Sequence, residues 1–303
     1  MRHRMNRRTF TKALGAALGA ASLPLSGTAQ AGKLQIGCTS LIWGAVPRTP
    51  ENLAPAVADM DSLGFHKFET FAAILEDWDK KDTLQALLDK YRIPLVSAYS
   101  SVQVIDPSKR KETLADLVQR GKVLKKYGGR FAVLSANGVE RQGYNFKEHR
   151  PNIVSALNEY GLAMNDIGLG AGLHQHTNTA IETRDETYAV MEAVNTDHFK
   201  FAPDVGQLQK GGADAAQVVK DFLPITVHMH LKDYVGGEHF AGYCPLGQGK
   251  VDLKAILEMV DAANPTANIM VELDGSKNAP YTPRETAEIS KAYLQKLGFT
   301  FRA

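Results

Sequence analysis

The sequence has few cysteines, no long apolar run and little net charge. Two cysteines in 303 residues exclude a disulfide-dense small domain. No run of eighteen or more unbroken apolar residues is present, so the sequence does not predict an integral membrane protein. Apolar residues make up 44% and charged residues 22% of the chain, which is typical of a folded globular protein.

The net charge of +2 comes from the beginning of the chain. Residues 1–31 contain no acidic residue and five basic residues: Arg2, Arg4, Arg7, Arg8 and Lys12. Subtracting these five from 35 leaves 30 basic residues against 33 acidic residues, so the rest of the chain carries about −3. Nucleic-acid-binding domains need a strong positive patch, and the sequence therefore predicts no nucleic-acid partner.

Residues 1–31 have the form of an export signal. A basic start precedes a mildly apolar run, Phe10 to Leu25, and the small residues Ala29-Gln30-Ala31 suit cleavage. The stretch Asn6-Arg-Arg-Thr-Phe-Thr-Lys12 resembles a twin-arginine signal; an ordinary Sec signal and an uncleaved anchor are the alternatives. We predict a twin-arginine-type signal peptide over residues 1–31, a catalytic domain over 32–303, and a periplasmic protein that meets the membrane only during export.

Both cysteines, Cys38 and Cys244, belong to the predicted mature chain. The periplasm permits disulfides, but a bridge requires the two Cα atoms to lie within about 7 Å of each other. We expect two separate thiols.

Short β-rich segments alternate with amphipathic helical patterns along residues 32–303. The predicted strands end near eight positions, which are Thr39, Glu69, Ser100, Ala136, His176, Asp204, Lys232 and Asp274. Thr49-Pro50 predicts a helix start, Gly128-Gly129 a helix end, and a last helix runs from Pro283 to about Gly298. Eight strand–helix units predict an α/β protein with a single (β/α)8 TIM barrel. An open doubly wound sheet is the alternative, but Gly37 does not begin a glycine-rich phosphate-binding turn.

Four consecutive predicted strand ends have side chains that can bind a metal ion. These side chains are His174 and His176, Asp204, His228 and His230, and Glu272. The C-terminal ends of barrel strands meet at one mouth, so these groups can converge. Residues two apart in a strand face the same side, and each His-x-His pair therefore predicts polar groups inside the barrel. Imidazole together with carboxylate suits manganese, zinc, cobalt or iron.

Four segments in this order resemble the xylose-isomerase-like TIM barrels of the sugar isomerase/epimerase superfamily. They are Asp204-Val-Gly-Gln207, His228-Met-His-Leu-Lys-Asp233, Pro245-Leu-Gly-Gln-Gly-Lys-Val-Asp252 and Met270-Val-Glu-Leu-Asp274. The segment Gly172-Leu-His-Gln-His-Thr-Asn-Thr179 is similar to the branch that contains inosose dehydratases and enzymes acting on 3-keto sugars and 3-keto glycosides. The resemblance covers essentially the whole predicted mature chain.

The resemblance implies a divalent metal, with manganese favoured over zinc or cobalt. The implied ligands are His174, Asp204, His230 and Glu272, with His176 as the alternative to His174. Many members have glutamate where this chain has His174, which argues against a symmetric two-glutamate epimerase mechanism. Many also have histidine where Gln207 stands, so we expect Gln207 to bind substrate.

The implied reaction starts with removal of a proton next to the ketone of a non-phosphorylated sugar. Glu272 and His176 are the candidate bases, and Lys232 is expected to donate a proton or hold substrate hydroxyls. The products then arise by β-elimination (cleavage of a 3-keto glycoside, or dehydration) or by epimerisation or isomerisation. Trp43 and Glu69 are expected to contact the sugar; simple packing and a structural salt bridge are the respective alternatives.

Two other functions remain open from the sequence. A non-catalytic periplasmic sugar-binding barrel would not need four metal ligands. An endonuclease of the same superfamily would need three zinc ions and further histidines, and none occurs between His66 and His149. The predicted partner is a small-molecule carbohydrate, and homo-oligomers are common among enzymes of this kind.

Overall fold

The computed structural model describes residues 33–44, 48–276 and 278–303. The predicted signal peptide, residues 1–31, lies outside the described residues. Within the described part of the chain, no helix combines the length and the apolar character needed to cross a membrane.

Eight parallel strands form the barrel. They are β1 (Ile36–Thr39), β2 (Phe68–Phe71), β3 (Leu95–Val102), β4 (Phe131–Ala136), β5 (Gly170–Leu173), β6 (Lys200–Phe201), β7 (His228–Leu231) and β8 (Asn268–Val271). The hydrogen-bonded order is β6-β5-β4-β3-β2-β1-β8-β7. Parallel bridges from Phe201 to Thr226 and from Asp204 to His230 join the two remaining edges. The predicted single TIM barrel is confirmed, and the open doubly wound sheet is excluded.

The helices pack around the outside of the strands. They are α1 (Pro50–Ser62), α2 (Ala72–Lys80), α3 (Leu84–Lys90), α4 (Arg110–Lys126), α5 (Phe146–Asp166), α6 (Arg184–Met191), α7 (Val205–Lys210), α8 (Ala215–Asp221), α9 (Leu253–Ala263) and α10 (Pro283–Lys296). The predicted start of α1 is confirmed, because the Thr49 side chain accepts a hydrogen bond from the Asn52 amide. Gly128 and Gly298 follow α4 and α10 with φ of +94° and +93°, a conformation that favours glycine.

Alternate residues of each strand divide the barrel into an outer and an inner layer. Ala132 and Leu134 of β4 belong to the large apolar core between strands and helices, whereas Phe131 and Val133 form a separate small cluster with Ala202. Successive side chains of a strand point to opposite faces, so this second cluster fills the barrel interior. By the same alternation, His228 and His230 lie on the inner face of β7.

Three strands end three residues earlier than the sequence predicted, and one of them is β8, which ends at Val271 instead of Asp274. β5 ends at Leu173, three residues before the predicted end at His176, and the His176 amide instead bonds to the Ile181 carbonyl. β6 ends at Phe201 rather than at Asp204. Pro203 has no amide hydrogen for the ladder, and Asp204 already caps α7 by accepting a hydrogen bond from the Gln207 amide.

The two cysteines are separate buried thiols, which confirms the prediction. Cys38 lies in β1. Cys244 belongs to a short antiparallel hairpin, Asp233–Tyr234 with Tyr243–Cys244, that follows β7.

Candidate active site

Three predicted metal ligands converge at the ends of three successive strands. His174, Asp204 and His230 each offer one ligand atom, and these atoms lie within 4.8 Å of one another. His174 Nε2 is 4.0 Å from Asp204 Oδ2, and the rings of His174 and His230 are centred 4.4 Å apart. We call these three residues the ligand cluster. All three are buried.

Glu272, the fourth predicted ligand, contacts the ligand cluster from the end of β8. Its Oε2 atom lies 3.1 Å from His230 Nδ1. Its other oxygen, Oε1, lies 2.7 Å from the ammonium of Lys232. Glu272 therefore lies between His230 and Lys232, and one of its carboxylate oxygens contacts each residue.

The donor set of the ligand cluster fits a divalent cation. His174 Nδ1 is buried without a hydrogen-bond partner among the described residues, and the buried atoms Asp204 Oδ2 and His230 Nδ1 have only ion-pair contacts, with Lys232 and Glu272. Buried polar atoms in folded proteins are nearly always paired, so the unpaired nitrogen of His174 is unusual. Imidazole nitrogens and carboxylate oxygens are also the donors that zinc and similar divalent metals use.

The pKa shifts of His174 and Glu272 suit cation binding, whereas the pKa values of Asp204 and His230 are raised in the metal-free protein. Burial lowers the pKa of His174 well below its usual value, which leaves the ring neutral as a metal ligand must be. Burial raises the pKa of Asp204, although the neighbouring Lys232 partly offsets this effect. For Glu272, burial favours a raised pKa, but His230 and Lys232 outweigh it and hold the pKa well below its usual value.

Lys232 is a buried ammonium surrounded by carboxylates. Its Nζ atom lies 2.9 Å from Asp274 Oδ2 and 3.0 Å from Asp204 Oδ2, in addition to the contact with Glu272. Burial alone would lower the pKa of Lys232, but these carboxylates raise it well above its usual value. Gly206 makes room for this side chain, because a Cβ there would lie 2.8 Å from Lys232 Cγ. Lys232 is therefore a protonated hydrogen-bond donor at neutral pH.

His176 lies beside the ligand cluster and is held by Gln207. His176 Nδ1 lies 2.8 Å from the Thr177 carbonyl oxygen, and Nε2 lies 2.7 Å from Gln207 Nε2. The Gln207 Oε1 atom accepts hydrogen bonds from the amide and hydroxyl of Thr177, so its Nε2 donates to His176. The network assigns the proton of His176 to Nδ1. The structure thus places His174, and not His176, in the ligand cluster.

Glu69 and Trp43, the residues predicted to contact the sugar, have partners within the protein. Glu69 is 1% exposed, and its carboxylate contacts His228, His230 and Ser97 inside the barrel. The Trp43 indole N–H donates to Asp59 Oδ2 of α1 at 2.9 Å, and its ring packs against the core. These contacts match the two alternatives: Glu69 forms a buried ion pair, and Trp43 packs against the core.

Sequence reasoning missed Asp274 and Asp233. Asp274 follows Glu272 by two residues, so the alternation used for the histidine pairs could have placed both carboxylates on one face. Asp233 accepts hydrogen bonds from four backbone amides, those of Tyr234, Gly247, Gly249 and Val251. The Leu246-Gly-Gln-Gly-Lys-Val-Asp252 segment therefore forms a loop around the Asp233 carboxylate, and part of its pattern is structural.

Comparisons with known proteins agree with this architecture. Residues 57–297 match the family model of the xylose isomerase-like TIM barrel. An inosose dehydratase from Clostridium botulinum (strain Alaska E43 / Type E3) is 21% identical over 267 residues, which cover 80% of this chain and 88% of the relative.

Solved structures with the same fold include an epimerase and a zinc-bound protein. The 3-keto-D-glucoside 4-epimerase of E. coli superposes with a TM-score of 0.65 at 17% identity, covering 87% of this chain and 98% of that one. The IOLI protein, solved with a bound zinc atom, superposes with a TM-score of 0.70 at 15% identity, covering 88% and 98%.

Proposed function

The chain belongs to the xylose isomerase-like TIM barrel family, and we propose that it is a divalent-metal-dependent enzyme that removes the proton next to a sugar ketone. The observation that carries the proposal is the convergence of one ligand atom each from His174, Asp204 and His230 within 4.8 Å of one another in a buried site. The related inosose dehydratase and 3-keto-D-glucoside 4-epimerase support a keto-sugar substrate.

The cation would be held by His174, Asp204, His230 and Glu272. It would supply Lewis-acid stabilisation of the negative charge that develops on a ketone oxygen. The zinc atom in the IOLI protein supports a divalent metal. Manganese, which the sequence resemblance favours, stays a prediction.

Glu272 and Lys232 are the residues we assign to proton transfer. The low pKa of Glu272 keeps its carboxylate ionised and able to accept a proton from the α-carbon. Lys232 stays protonated and can donate to an oxygen atom of the substrate. His176 is the second candidate base, but its free ring nitrogen already accepts a hydrogen bond from Gln207.

Two outcomes follow from the same proton removal. In β-elimination, the electron pair of the broken C–H bond forms a carbon–carbon double bond, and the C–O bond of the leaving group breaks. The leaving oxygen then takes a proton, for which Lys232 is the donor we assign. In epimerisation or isomerisation, a proton returns to carbon instead, and no group leaves.

The electrostatics around Lys232 favour a neutral sugar over a sugar phosphate. Its ammonium contacts three carboxylates, those of Asp204, Glu272 and Asp274, so it has no uncompensated charge to offer a phosphate. A non-phosphorylated substrate also agrees with the export signal that we propose for residues 1–31. In that proposal the enzyme works in the periplasm.

The test is incubation with 3-keto glucosides and inososes in deuterated water. We expect the metal-loaded protein to introduce deuterium at the α-carbon or to release the β-substituent, and the chelated protein to do neither. His174→Ala should abolish both, whereas the matched control His198→Ala should be active. His198 is paired with Asn165 at the C-terminal end of α5, at the opposite end of the barrel. Absence of exchange and elimination across the panel, with metal bound, would contradict the proposal.

A further inference from the structure

We propose that Glu69 is a positioning residue that fixes the ring orientation and the tautomer of His230 for cation binding. The inference rests on the metal site of the proposed function. The central contact joins Glu69 Oε1 to His230 Nε2 at 2.6 Å. The other ring nitrogen, Nδ1, is buried and lies 3.1 Å from Oε2 of Glu272, another predicted metal ligand.

The two nitrogens of His230 therefore have separate tasks. A nitrogen that donates its hydrogen to a carboxylate keeps its proton, and the other nitrogen is left with a free electron pair for a cation. In His230 the carboxylate of Glu69 retains the proton on Nε2. Nδ1 is then the atom presented to the cation.

Glu69 is itself held in place from two sides. The Ser97 hydroxyl donates to Glu69 Oε2 at 2.6 Å, and His228 Nε2 lies 2.9 Å from the same oxygen. The His228 ring stacks on Phe131 with centroids 5.2 Å apart and planes 5° from parallel. The pairing of β2 with β3 shifts register between Phe68 and Glu69, an irregularity of the kind that redirects a side chain.

Burial separates Glu69 from the substrate and gives it a supporting task. Its side chain is 2% exposed, and a buried carboxylate is costly unless it is paired. Here both oxygens are used by His228, His230 and Ser97. Glu69 thus acts through His230 rather than on a sugar.

A second cation between Glu69, His228 and His230 is the competing explanation, since their donor atoms also lie within 4.8 Å of one another. The carboxylate oxygens already lie at hydrogen-bond distance from both imidazoles, 2.6 and 2.9 Å. These contacts favour direct pairing, and the stoichiometry of bound metal separates the two explanations.

The experiment compares Glu69→Gln with the wild-type chain and with Val133→Ala. Val133 is buried in the small interior cluster, so its truncation loosens the barrel without removing a partner of His230. Zinc affinity is measured by competition with a chelator, metal content by elemental mass spectrometry, and ligand geometry by the absorption of the cobalt(II)-loaded protein. Thermal unfolding of the metal-free proteins reports the structural effect of each substitution.

We expect one zinc ion per wild-type chain and a dissociation constant raised about 10- to 100-fold in Glu69→Gln. The cobalt spectrum of that variant should change. Val133→Ala should unfold at a lower temperature but keep the wild-type zinc affinity and cobalt spectrum. If the wild type binds two zinc ions and the variant one, or if the affinity of Glu69→Gln is unchanged, the inference is overturned.

A second measurement needs no variant and covers the case in which Glu69→Gln does not fold. Nitrogen-15 spectra of the zinc-loaded wild type should show His230 with its proton on Nε2; a proton on Nδ1 would overturn the inference. A wild-type chain that binds no cation would overturn the proposed function as well. If the wild-type chain binds one cation and processes keto sugars, and Glu69→Gln has the wild-type zinc affinity, this inference alone is overturned.

Discussion

The Lys232 ammonium lies 2.7 Å from the Glu272 carboxylate, in the position between two predicted metal ligands. Asp204 lies on its other side, 3.0 Å away. A divalent cation held by Asp204 and Glu272 would share these carboxylates with Lys232. Two positive charges on the same carboxylates repel each other, so the charge of Lys232 and the cation affinity are coupled.

Substitution of Lys232 by methionine should change activity and cation affinity in opposite directions. Turnover should fall about 10²- to 10⁴-fold because the proton donor is lost. Cation affinity should rise because the competing charge is removed. The metal-free variant should lose about 3–5 kcal/mol of unfolding free energy, since buried carboxylates are left without a counter-charge.

Steady-state kinetics, chelator competition and denaturant unfolding measure these three effects. The control is Lys254→Met, since Lys254 forms an exposed ion pair with Glu258 on α9. A lower cation affinity in Lys232→Met would show that the ammonium shapes the site instead of competing for it.

The Gln207 network predicts a loss of activity without a loss of metal. In Gln207→Leu, His176 Nε2 loses its donor and Thr177 loses its acceptor. One lost hydrogen bond of about 1–1.5 kcal/mol corresponds to roughly a tenfold lower kcat/KM. Zinc affinity should be unaltered, because neither residue belongs to the ligand cluster. Gln217→Leu on the exposed side of α8 is the control, and a weakened zinc affinity would mean that His176 is a ligand.

The loop around Asp233 predicts a stability effect. Asp233→Asn should lower the unfolding free energy by about 1–3 kcal/mol, because the charge that accepts four backbone amides is lost. Asp214→Asn is the comparison, since Asp214 caps α8 through a single amide, that of Gln217, and should cost less. Urea unfolding measures both. If both substitutions lowered the unfolding free energy equally, the four amide contacts to Asp233 would stabilise the fold no more than the single amide contact to Asp214 does.

The barrel was predictable from sequence because its signals are local and repeated. Strand segments, the Thr49 helix cap and the glycines after helices each depend on a few adjacent residues, and a parallel barrel then places successive strand ends side by side. That is why residues 30 apart, such as His174 and Asp204, could be expected to meet.

The depth of a side chain in the barrel was not predictable in the same way. Glu69 was predicted to end a strand but is the second residue of β2, and its burial follows from the pairing with Thr39 and Ser97 and from the register shift before it. His176 was paired with His174 on the assumption of a continuing strand, and the chain leaves the ladder after Leu173. Register and strand length depend on contacts between distant segments, which one sequence does not display.

The loop around Asp233 shows a further limit of prediction from sequence. Gly247 has a φ of +83°, and a side chain at Gly249 would collide with the Asp233 carboxylate. Both glycines are required by the shape of the loop around that carboxylate. The sequence pattern marks the segment, but its backbone conformation and its partner become evident only in three dimensions.

Lys67 lies in the barrel just before β2, and among the residues that the structure describes it has no carboxylate partner. Its ammonium donates to Asn268 Oδ1 at 2.9 Å and to the Ala267 carbonyl at 3.5 Å. Burial lowers its pKa from 10.5 to about 8. The folded protein therefore releases this proton at a lower pH than the unfolded chain does, and below about pH 8 it bears the cost of a buried charge.

This shift predicts how stability depends on pH. Between about pH 8 and 10.5 the unfolded chain binds more protons at Lys67 than the folded chain, so the contribution of Lys67 to stability rises with pH. Lys67→Met removes this contribution, and other titrating groups cancel in the difference between the two proteins. The unfolding free energy of the variant minus that of the wild type should therefore fall by about 2–3 kcal/mol from pH 7 to pH 10.5. Denaturant unfolding across this range measures the difference, and a flat or rising difference would mean that Lys67 keeps an ordinary pKa in the folded barrel.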